Sequence, residues 1–143
     1  MHDLLLREDG ERTYLLVFET GEKIVETLSG FARERGIRAA RIQGIGAVSE
    51  AELGFFAPAR KTYDRWTESE HEILSITGNL SVEGEEHKPH IHVVLGASDG
   101  TARGGHLLEG KVGPTLELFV VENPGREIQR ERVEDRGLSL IRL

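Results

Sequence analysis

The sequence predicts an α+β protein with a mostly antiparallel β-sheet and one principal flanking helix, in a single compact domain covering residues 1–143. Three observations predict this class. Many runs of β-branched and aromatic residues are separated by turn signals, and the chain has 17 glycines and four prolines. Only one stretch has apolar residues at helical spacing. The length of 143 residues suits one domain with one core.

The N-terminal part predicts two strands followed by the helix. The strands are expected at residues 4–6 and 12–19, and the second is apolar on both faces, which is typical of a central strand. The apolar stripe of the helix consists of Ile24, Val25, Leu28, Phe31 and Ala32. We expect Thr20 to be its N-cap, Glu22 to lie in its first turn, and Gly36 to end it.

The middle of the chain predicts strands at residues 38–48, 50–56 and 71–82, the last with a break at Gly78-Asn79. Residues 58–61 indicate a turn, residues 63–66 a short exposed strand or loop, and residues 84–89 a polar loop. Gly44-Ile45-Gly46 is not a dinucleotide-binding loop, because Ser49 stands at the third glycine position and no helix pattern follows. These glycines indicate a bulge or a close backbone approach.

The C-terminal part predicts two histidine-bearing strands, then strands at residues 114–122, 126–133 and 138–143. Four arginines lie near this end and alternate with acidic residues, so we expect a mixed, solvated face there. They are Arg126, Arg130, Arg132 and Arg136.

Composition excludes several classes of function. The net charge of −7 leaves no basic footprint for nucleic acid. The absence of cysteine excludes disulfides and thiolate metal sites. The first residues lack the basic segment of a signal peptide, and no apolar run approaches the ~18 residues of a membrane span. We therefore expect a cytoplasmic protein without membrane contact.

The stretch from His87 to Gly110 contains four of the six histidines. His90 and His92 flank Ile91 in a β-branched run, and alternate residues of a strand point to the same side, ~7 Å apart. If Ser98-Asp99-Gly100 forms a three-residue hairpin loop, His106 lies directly opposite His92 and His90 lies on the diagonal. A two-residue Asp99-Gly100 turn would instead send His106 to the other face, and Gly104-Gly105 could hold a bulge that changes the register.

Three imidazoles on one face of a hairpin are typical ligands for a divalent transition metal, most often zinc. The sequence thus predicts a metal site at His90, His92 and His106. The alternative is a set of strand histidines that only hydrogen-bond to their neighbours. We expect His87 to be solvated in the preceding loop, and His2 and His71 have no companions.

The sequence assigns no catalytic residue. Glu109 lies three residues beyond His106, so strand parity puts it on the opposite face. Glu50, Glu52 or Asp64 could approach the histidines through folding.

Several motifs, taken in order, resemble the plants-and-prokaryotes-conserved (PPC) domain over nearly the whole chain. They are Gly46-Ala47-Val48, Leu53-Gly54-Phe55, the segment from Glu72 to Asn79, Pro89-His90-Ile91-His92-Val93, Asp99-Gly100 and Gly104-Gly105-His106-Leu107. The resemblance implies a sheet with a flanking helix, a homotrimer, and a role in protein assembly associated with DNA. The Arg-Gly-Arg-Pro core of an AT-hook, which accompanies the domain in plants, is not present in this sequence. The His-x-His and His pattern is also similar to the zinc site of acetolactate decarboxylase, whose fold is related.

Two functions follow as expectations. The first is a homotrimeric assembly or regulatory protein that carries a metal site and associates with protein partners or DNA. The second is a zinc-dependent enzyme, a lyase or hydrolase acting on a small molecule, because three neutral ligands leave a position on zinc for water or substrate.

Overall fold

The computed structural model describes residues 1–142, which contain eight strands and one helix. The strands are β1 (His2–Asp9), β2 (Glu11–Glu19), β3 (Ala40–Ala57), β4 (Thr62–Glu83), β5 (Glu86–Gly96), β6 (Ala102–Glu122), β7 (Gln129–Val133) and β8 (Leu138–Arg142). The helix α1 (Ile24–Arg35) follows β2. Within this described part, no helix is both long and apolar enough to cross a membrane.

The strands form one sheet in which nearly all neighbours are antiparallel. The order is β1-β2-β6-β3-β4, and β5 pairs with both β4 and β6. The pairings β3–β4, β4–β5, β5–β6 and β6–β3 therefore close on themselves, as in a small barrel. The C-terminal hairpin β7–β8 joins β4 through one parallel pair, Val82 with Gln129. This arrangement confirms the α+β class with one flanking helix and a single domain.

Helix α1 covers one face of the sheet and packs against β5 and β6. Its buried side chains are Ile24, Leu28, Phe31 and Ala32. The helix ends at Gly36, whose φ of 67° is the left-handed conformation that glycine adopts without strain, so that prediction is confirmed.

The start of α1 differs from the prediction, because Thr20 is not its N-cap. Lys23 occupies that position without a capping side chain, and Thr20 donates instead to the carbonyl of Pro114, at 2.8 Å. The cap comes from across the sheet: the Glu109 carboxylate of β6 accepts from the first backbone N–H groups of the helix, Val25 at 2.8 Å among them. A carboxylate here also faces the positive end of the helix dipole.

Several strands that the sequence predicts separately are continuous. Residues 38–56 lie mostly in β3, residues 63–82 in β4 without a break at Gly78-Asn79, and residues 102–122 in β6. The register shifts between Gly44 and Gly46, which confirms the predicted bulge. At Gly78 a neighbouring strand passes very close, since a Cβ there would lie 2.1 Å from the His90 carbonyl oxygen. Glycine thus permits pairing on both sides of β4, so here it does not end the strand.

The predicted loop at residues 84–89 is also shorter in the structure, with a turn at Gly84-Glu85 and β5 starting at Glu86. The prediction that His87 is solvated is therefore wrong. Both of its ring nitrogens are buried, and neither has a hydrogen-bond partner among the described residues.

The two faces of the sheet differ in burial. Register partners share a face, so Leu16, Leu118, Ile76 and Val93 belong to the helix side, and all four are buried. The opposite side, which we call the open face, carries His92 and a set of large apolar side chains that are 42–59% exposed: Leu4, Ile45, Leu74, Val94 and Phe119.

Candidate metal centre and adjacent cavity

The histidine hairpin has the predicted three-residue loop. The backbone N–H of Ala97 donates to the Thr101 carbonyl at 2.9 Å, and Gly100 adopts a positive φ of 83°. His92 of β5 therefore pairs with His106 of β6. This register confirms the predicted placement and excludes the two-residue turn that would have turned His106 to the other face.

The three histidine rings converge on one point. Their centroids are 5.2 Å apart for His90 and His92, 5.1 Å for His90 and His106, and 5.6 Å for His92 and His106. One ring nitrogen from each lies within 4.8 Å of the other two. Metal–nitrogen bonds of about 2.0–2.1 Å at tetrahedral angles place the ligand nitrogens about 3.4 Å apart, so an ion bound between the three rings would draw them to that separation.

The electrostatics of His106 suit a metal ligand. Burial, followed by the neighbouring histidines and Arg130, lowers the pKa of His106 to about 4, so the ring is neutral near pH 7. Its Nδ1 is buried without a hydrogen-bond partner among the described residues. A buried ring nitrogen without a hydrogen-bond partner is costly, and coordination of a metal ion by the ring would offset that cost. The residues present thus fit a transition metal.

His90 has a neighbour that the sequence did not predict. Nη2 of Arg130 lies 3.2 Å from His90 Nδ1, and since arginine only donates, Nδ1 accepts this hydrogen bond. Burial, together with the charge of Arg130, lowers the pKa of His90. His92 completes the trio on the exposed side.

Arg130 belongs to β7, so its predicted place on a solvated face is wrong. The guanidinium is half-buried and donates to Ser81 Oγ at 2.7 Å, the Ser139 carbonyl at 3.0 Å and Asn79 Oδ1 at 3.0 Å. Burial lowers its pKa, yet a guanidinium stays charged in proteins. The sequence does not predict this burial of Arg130, because arginines that alternate with acidic residues are also typical of an exposed strand.

Aromatic rings flank the histidines on the β3–β4 side. Tyr63 stacks on His106 with centroids 4.9 Å apart and planes 26° from parallel. Phe56 packs edge-on against Tyr63 at 5.3 Å. Gly54 makes room for this stack, since a Cβ there would lie 2.8 Å from Tyr63 Cδ1. Tyr63, the first residue of the segment at 63–66 that the sequence predicts to be exposed, therefore lines the site, whereas Asp64 and Arg65 are exposed as predicted.

A cavity of about 580 Å³ opens between the histidines and the β7–β8 hairpin. His90, His106, Tyr63 and Arg130 line it. Its volume lies within the range of about 300–1,000 Å³ that is typical of small-molecule sites. The site can therefore accept a ligand beside a bound metal.

The acidic residues considered from the sequence do not line this cavity. Glu109 caps α1, Glu52 pairs with Arg65 at 3.2 Å, and Asp64 pairs with Arg60. The carboxylate in the cavity wall belongs to Glu83, which accepts from Ser139 Oγ at 2.7 Å. Glu83 is the last residue of β4 and precedes His90, on the next strand, by seven residues, so no sequence motif marks it.

The remaining histidines lie outside the cluster. His2 pairs with Glu19 at 2.7 Å, and His71 contacts the Ser69 carbonyl at 2.9 Å. These contacts agree with the absence of companions noted in the sequence.

An antiparallel sheet with one flanking helix and three convergent histidines on a hairpin defines a small single-domain protein with a candidate metal centre. The chain belongs to the Plants and Prokaryotes Conserved (PCC) domain family, the PPC domain named above, whose family model matches residues 6–124. The resemblance seen in the sequence is therefore confirmed. No curated protein matches the chain.

Solved structures extend the likeness over the whole fold. A PPC protein of Pyrococcus horikoshii is 33% identical, with coverage of 99% of this chain and 95% of that chain and a TM-score of 0.86. A "putative DNA binding protein" of Bacteroides thetaiotaomicron is 35% identical, with coverages of 98% and 96% and a TM-score of 0.87. A metal-containing protein of Archaeoglobus fulgidus is 36% identical, with coverages of 92% and 93% and a TM-score of 0.85.

The chain is also similar in fold to acetolactate decarboxylase, at low sequence identity. The enzyme from Bacillus subtilis strain 168 is 12% identical, with coverage of 88% of this chain and 58% of that chain and a TM-score of 0.53. This likeness concerns the fold alone.

Proposed function

We propose that this protein is a homotrimeric PPC-domain assembly or regulatory protein that binds one divalent transition metal ion, zinc, through His90, His92 and His106. The observation that carries the proposal is the convergence of three ring nitrogens within 4.8 Å of one another. The buried Nδ1 of His106, which has no partner among residues 1–142, supports it. The metal-containing relative of Archaeoglobus fulgidus agrees with it.

Zinc is favoured by the ligand set, because neutral imidazoles suit it and no thiolate is available. Three histidines contribute no negative charge, so a bound ion would keep its full charge. It could then polarise a water molecule or an acidic ligand at its remaining position.

We assign the homotrimer to the open face. Its exposed apolar side chains include Ile45, Leu74 and Phe119, and several large apolar side chains exposed on one face are typical of an interaction site. A second copy of the chain is the partner that the family resemblance favours.

In this proposal the trimer is cytoplasmic and associates with DNA by binding other proteins that contact the DNA. The "putative DNA binding protein" relative supports an association, whereas a net charge of −7 opposes direct approach to phosphate. We expect weak binding to random duplex DNA at physiological salt. A tight, steeply salt-dependent complex in a fluorescence anisotropy titration would argue against this.

A second candidate function is a zinc-dependent enzyme, a lyase or hydrolase that acts on a small molecule. The cavity of about 580 Å³ favours it, because His90 and His106 open directly onto that space. A bound metal would supply a Lewis acid there. In this chain Tyr63 would limit the space beside His106, and Arg130 would hold an acidic group.

The metal site is tested by elemental analysis of untagged protein purified without chelator. We expect about one zinc per chain in the wild type, and loss of most of it in His92→Ala. His87→Ala is the matched control and should keep its metal, because His87 lies outside the cluster that converges. Equal metal content in the wild type and His92→Ala would reject the site.

A further inference from the structure

We propose that the cavity beside the histidines binds a small organic monocarboxylate through Arg130, and that metal binding strengthens this binding by releasing Arg130 from His90. The second part rests on the proposed metal site. The first part rests on the cavity and its charges alone.

The cavity is basic although the protein is acidic. Four cationic side chains and one glutamate line it, in a chain with a net charge of −7. The cations are Lys61, Lys88, Arg130 and Arg132. A concave surface lined by one sign of charge concentrates ligands of the opposite sign. The favoured ligand is therefore an anion.

Arg130 is the half-buried cation in this wall that has no ion pair among the described residues, whereas Lys61, which also has none, is exposed. Lys88 pairs with Glu86 at 2.8 Å, and Arg132 pairs with Glu134 at 3.4 Å. Among residues 1–142, no carboxylate oxygen lies within 4.0 Å of the Arg130 guanidinium, and its four hydrogen-bond acceptors are neutral groups. The carboxylate of Glu83, in the same wall, attracts Arg130 without contacting it. A half-buried charge without a contacting counter-charge is costly, and an anionic ligand would offset that cost.

Metal binding at His90 changes what Arg130 can contact. If the metal takes Nδ1, the lone pair that accepts from Arg130 is lost. If it takes Nε2, the neutral ring carries its proton on Nδ1, which then faces another donor. In either case the 3.2 Å hydrogen bond between Arg130 and His90 is lost. Of its five N–H groups, Arg130 then has two without a partner, which is the number that a bidentate carboxylate accepts.

The rest of the wall indicates the body of the ligand. The cavity surface includes the apolar or aromatic side chains of Phe56, Tyr63, Pro89, Leu138 and Leu140. A single half-buried charge without an ion pair, beside apolar walls, matches a monocarboxylate with a short hydrocarbon chain. It matches phosphate less well, because a phosphate dianion requires more donors and has no apolar part.

The proposal is tested with butanoate as the probe, by isothermal titration calorimetry on full-length protein loaded with zinc. We expect butanoate to bind at least about tenfold more tightly than butanamide, its uncharged analogue, because charge-assisted hydrogen bonds are the stronger kind. Butanoate should also bind more tightly to zinc-loaded than to metal-free protein. By thermodynamic reciprocity, butanoate should raise the affinity for zinc by the same factor.

Two variants locate the binding. Arg130→Gln should weaken butanoate binding about tenfold or more, while the exposed Arg126→Gln should leave it unchanged. Arg130→Lys keeps the charge and should bind butanoate more tightly than Arg130→Gln does. It replaces Arg130→Gln in the test if that variant does not fold. Circular dichroism of each variant checks the fold.

The outcomes separate this proposal from the metal site. Equal affinity for butanoate and butanamide, or tighter binding of inorganic phosphate, would overturn the carboxylate cavity. Equal affinity for butanoate with and without zinc would overturn the coupling to the metal. Wild-type protein without metal in elemental analysis would refute the metal site and the coupling. Arg130-dependent butanoate binding in that metal-free protein would still support the carboxylate cavity, and its absence would overturn that part too.

Discussion

Both ring nitrogens of the half-buried His87 are shielded from solvent and have no hydrogen-bond partner among the described residues. Burial, followed by the positive charges of Arg38 and Arg33, lowers the pKa of His87 below its ordinary value of 6.5. Below about pH 6.5 the unfolded chain therefore binds a proton that the folded chain resists. The free energy of unfolding contributed by this residue must fall as the pH falls through that window.

We predict that His87→Phe reduces this sensitivity to acid. The phenyl ring needs no hydrogen bond and cannot be protonated, so replacement of an unsatisfied polar group should be neutral or stabilising. Urea denaturation of metal-free protein at about pH 8 and about pH 5.5 measures the effect. The loss of stability between the two should be smaller in His87→Phe than in the wild type, whereas His2→Phe, at an exposed position, should not differ. An equal loss in all three proteins would contradict the role of burial.

At this scale the sequence predicts what depends on neighbours in the chain. The alternation of His90 and His92 specifies that they share a side, because strand geometry alone decides it. The burial of His87 and Arg130 depends on which distant segment covers them. Arg130 contacts Asn79 and Ser81, about 50 positions earlier. No periodicity within residues 126–133 contains that information.

Among the elements, α1 has a cap that comes from a distant strand. Glu109 accepts from the backbone N–H groups of Val25 and Glu26 at 2.8 and 3.2 Å. This contact ties the start of the helix to β6, three residues beyond the metal-ligand candidate His106. The helix therefore docks on the strand that presents that histidine.

We predict that Glu109→Gln destabilises the protein by about 1 kcal/mol, the usual cost of losing an N-cap. The amide presents one acceptor oxygen where the carboxylate presents two, and it lacks the charge that favours the helix N-terminus. Guanidinium denaturation measures the change. Glu34→Gln, in the same helix but exposed, is the matched control and should have an effect near zero. Equal effects of the two substitutions would show that Glu109 does not act as a cap.

The elements also show where prediction from sequence ends. Local turn chemistry leaves two turns open for the histidine hairpin, and the structure has the three-residue loop at Ser98-Asp99-Gly100 that places His106 opposite His92. The continuity of the long strands is not predicted, because a glycine can end a strand or, as here, permit close contact with a neighbouring strand. A Cβ at Gly44 would lie 2.2 Å from the Glu117 carbonyl oxygen, a contact visible only after the sheet forms.

In the whole molecule, helix α1 covers one side of the sheet and leaves the open face exposed. We predict a homotrimer in solution that buries this face, with a mass of about 48 kDa, three times the 15.9 kDa of one chain. Phe119→Glu places a charge among the exposed apolar side chains and should dissociate the trimer. Multi-angle light scattering measures the mass of each form.

The matched control for the trimer is Ile141→Glu. Ile141 is 43% exposed, but it lies on the β7–β8 hairpin and is not among the side chains that define the open face, so this variant should keep the mass of the wild type. A wild-type mass of 15.9 kDa at micromolar concentration would rule the trimer out.

The β7–β8 hairpin lies beyond residue 124, where the match to the family model ends. One register pair links it to the sheet, yet it supplies Arg130 and much of the cavity wall. The histidines, in contrast, lie on a hairpin within the matched residues. The residues that would bind the metal ion and the residues that would bind a second ligand beside it thus lie in different segments of the chain. Exchange of a short C-terminal segment between relatives would then change the ligand that is chosen and leave the three histidines in place.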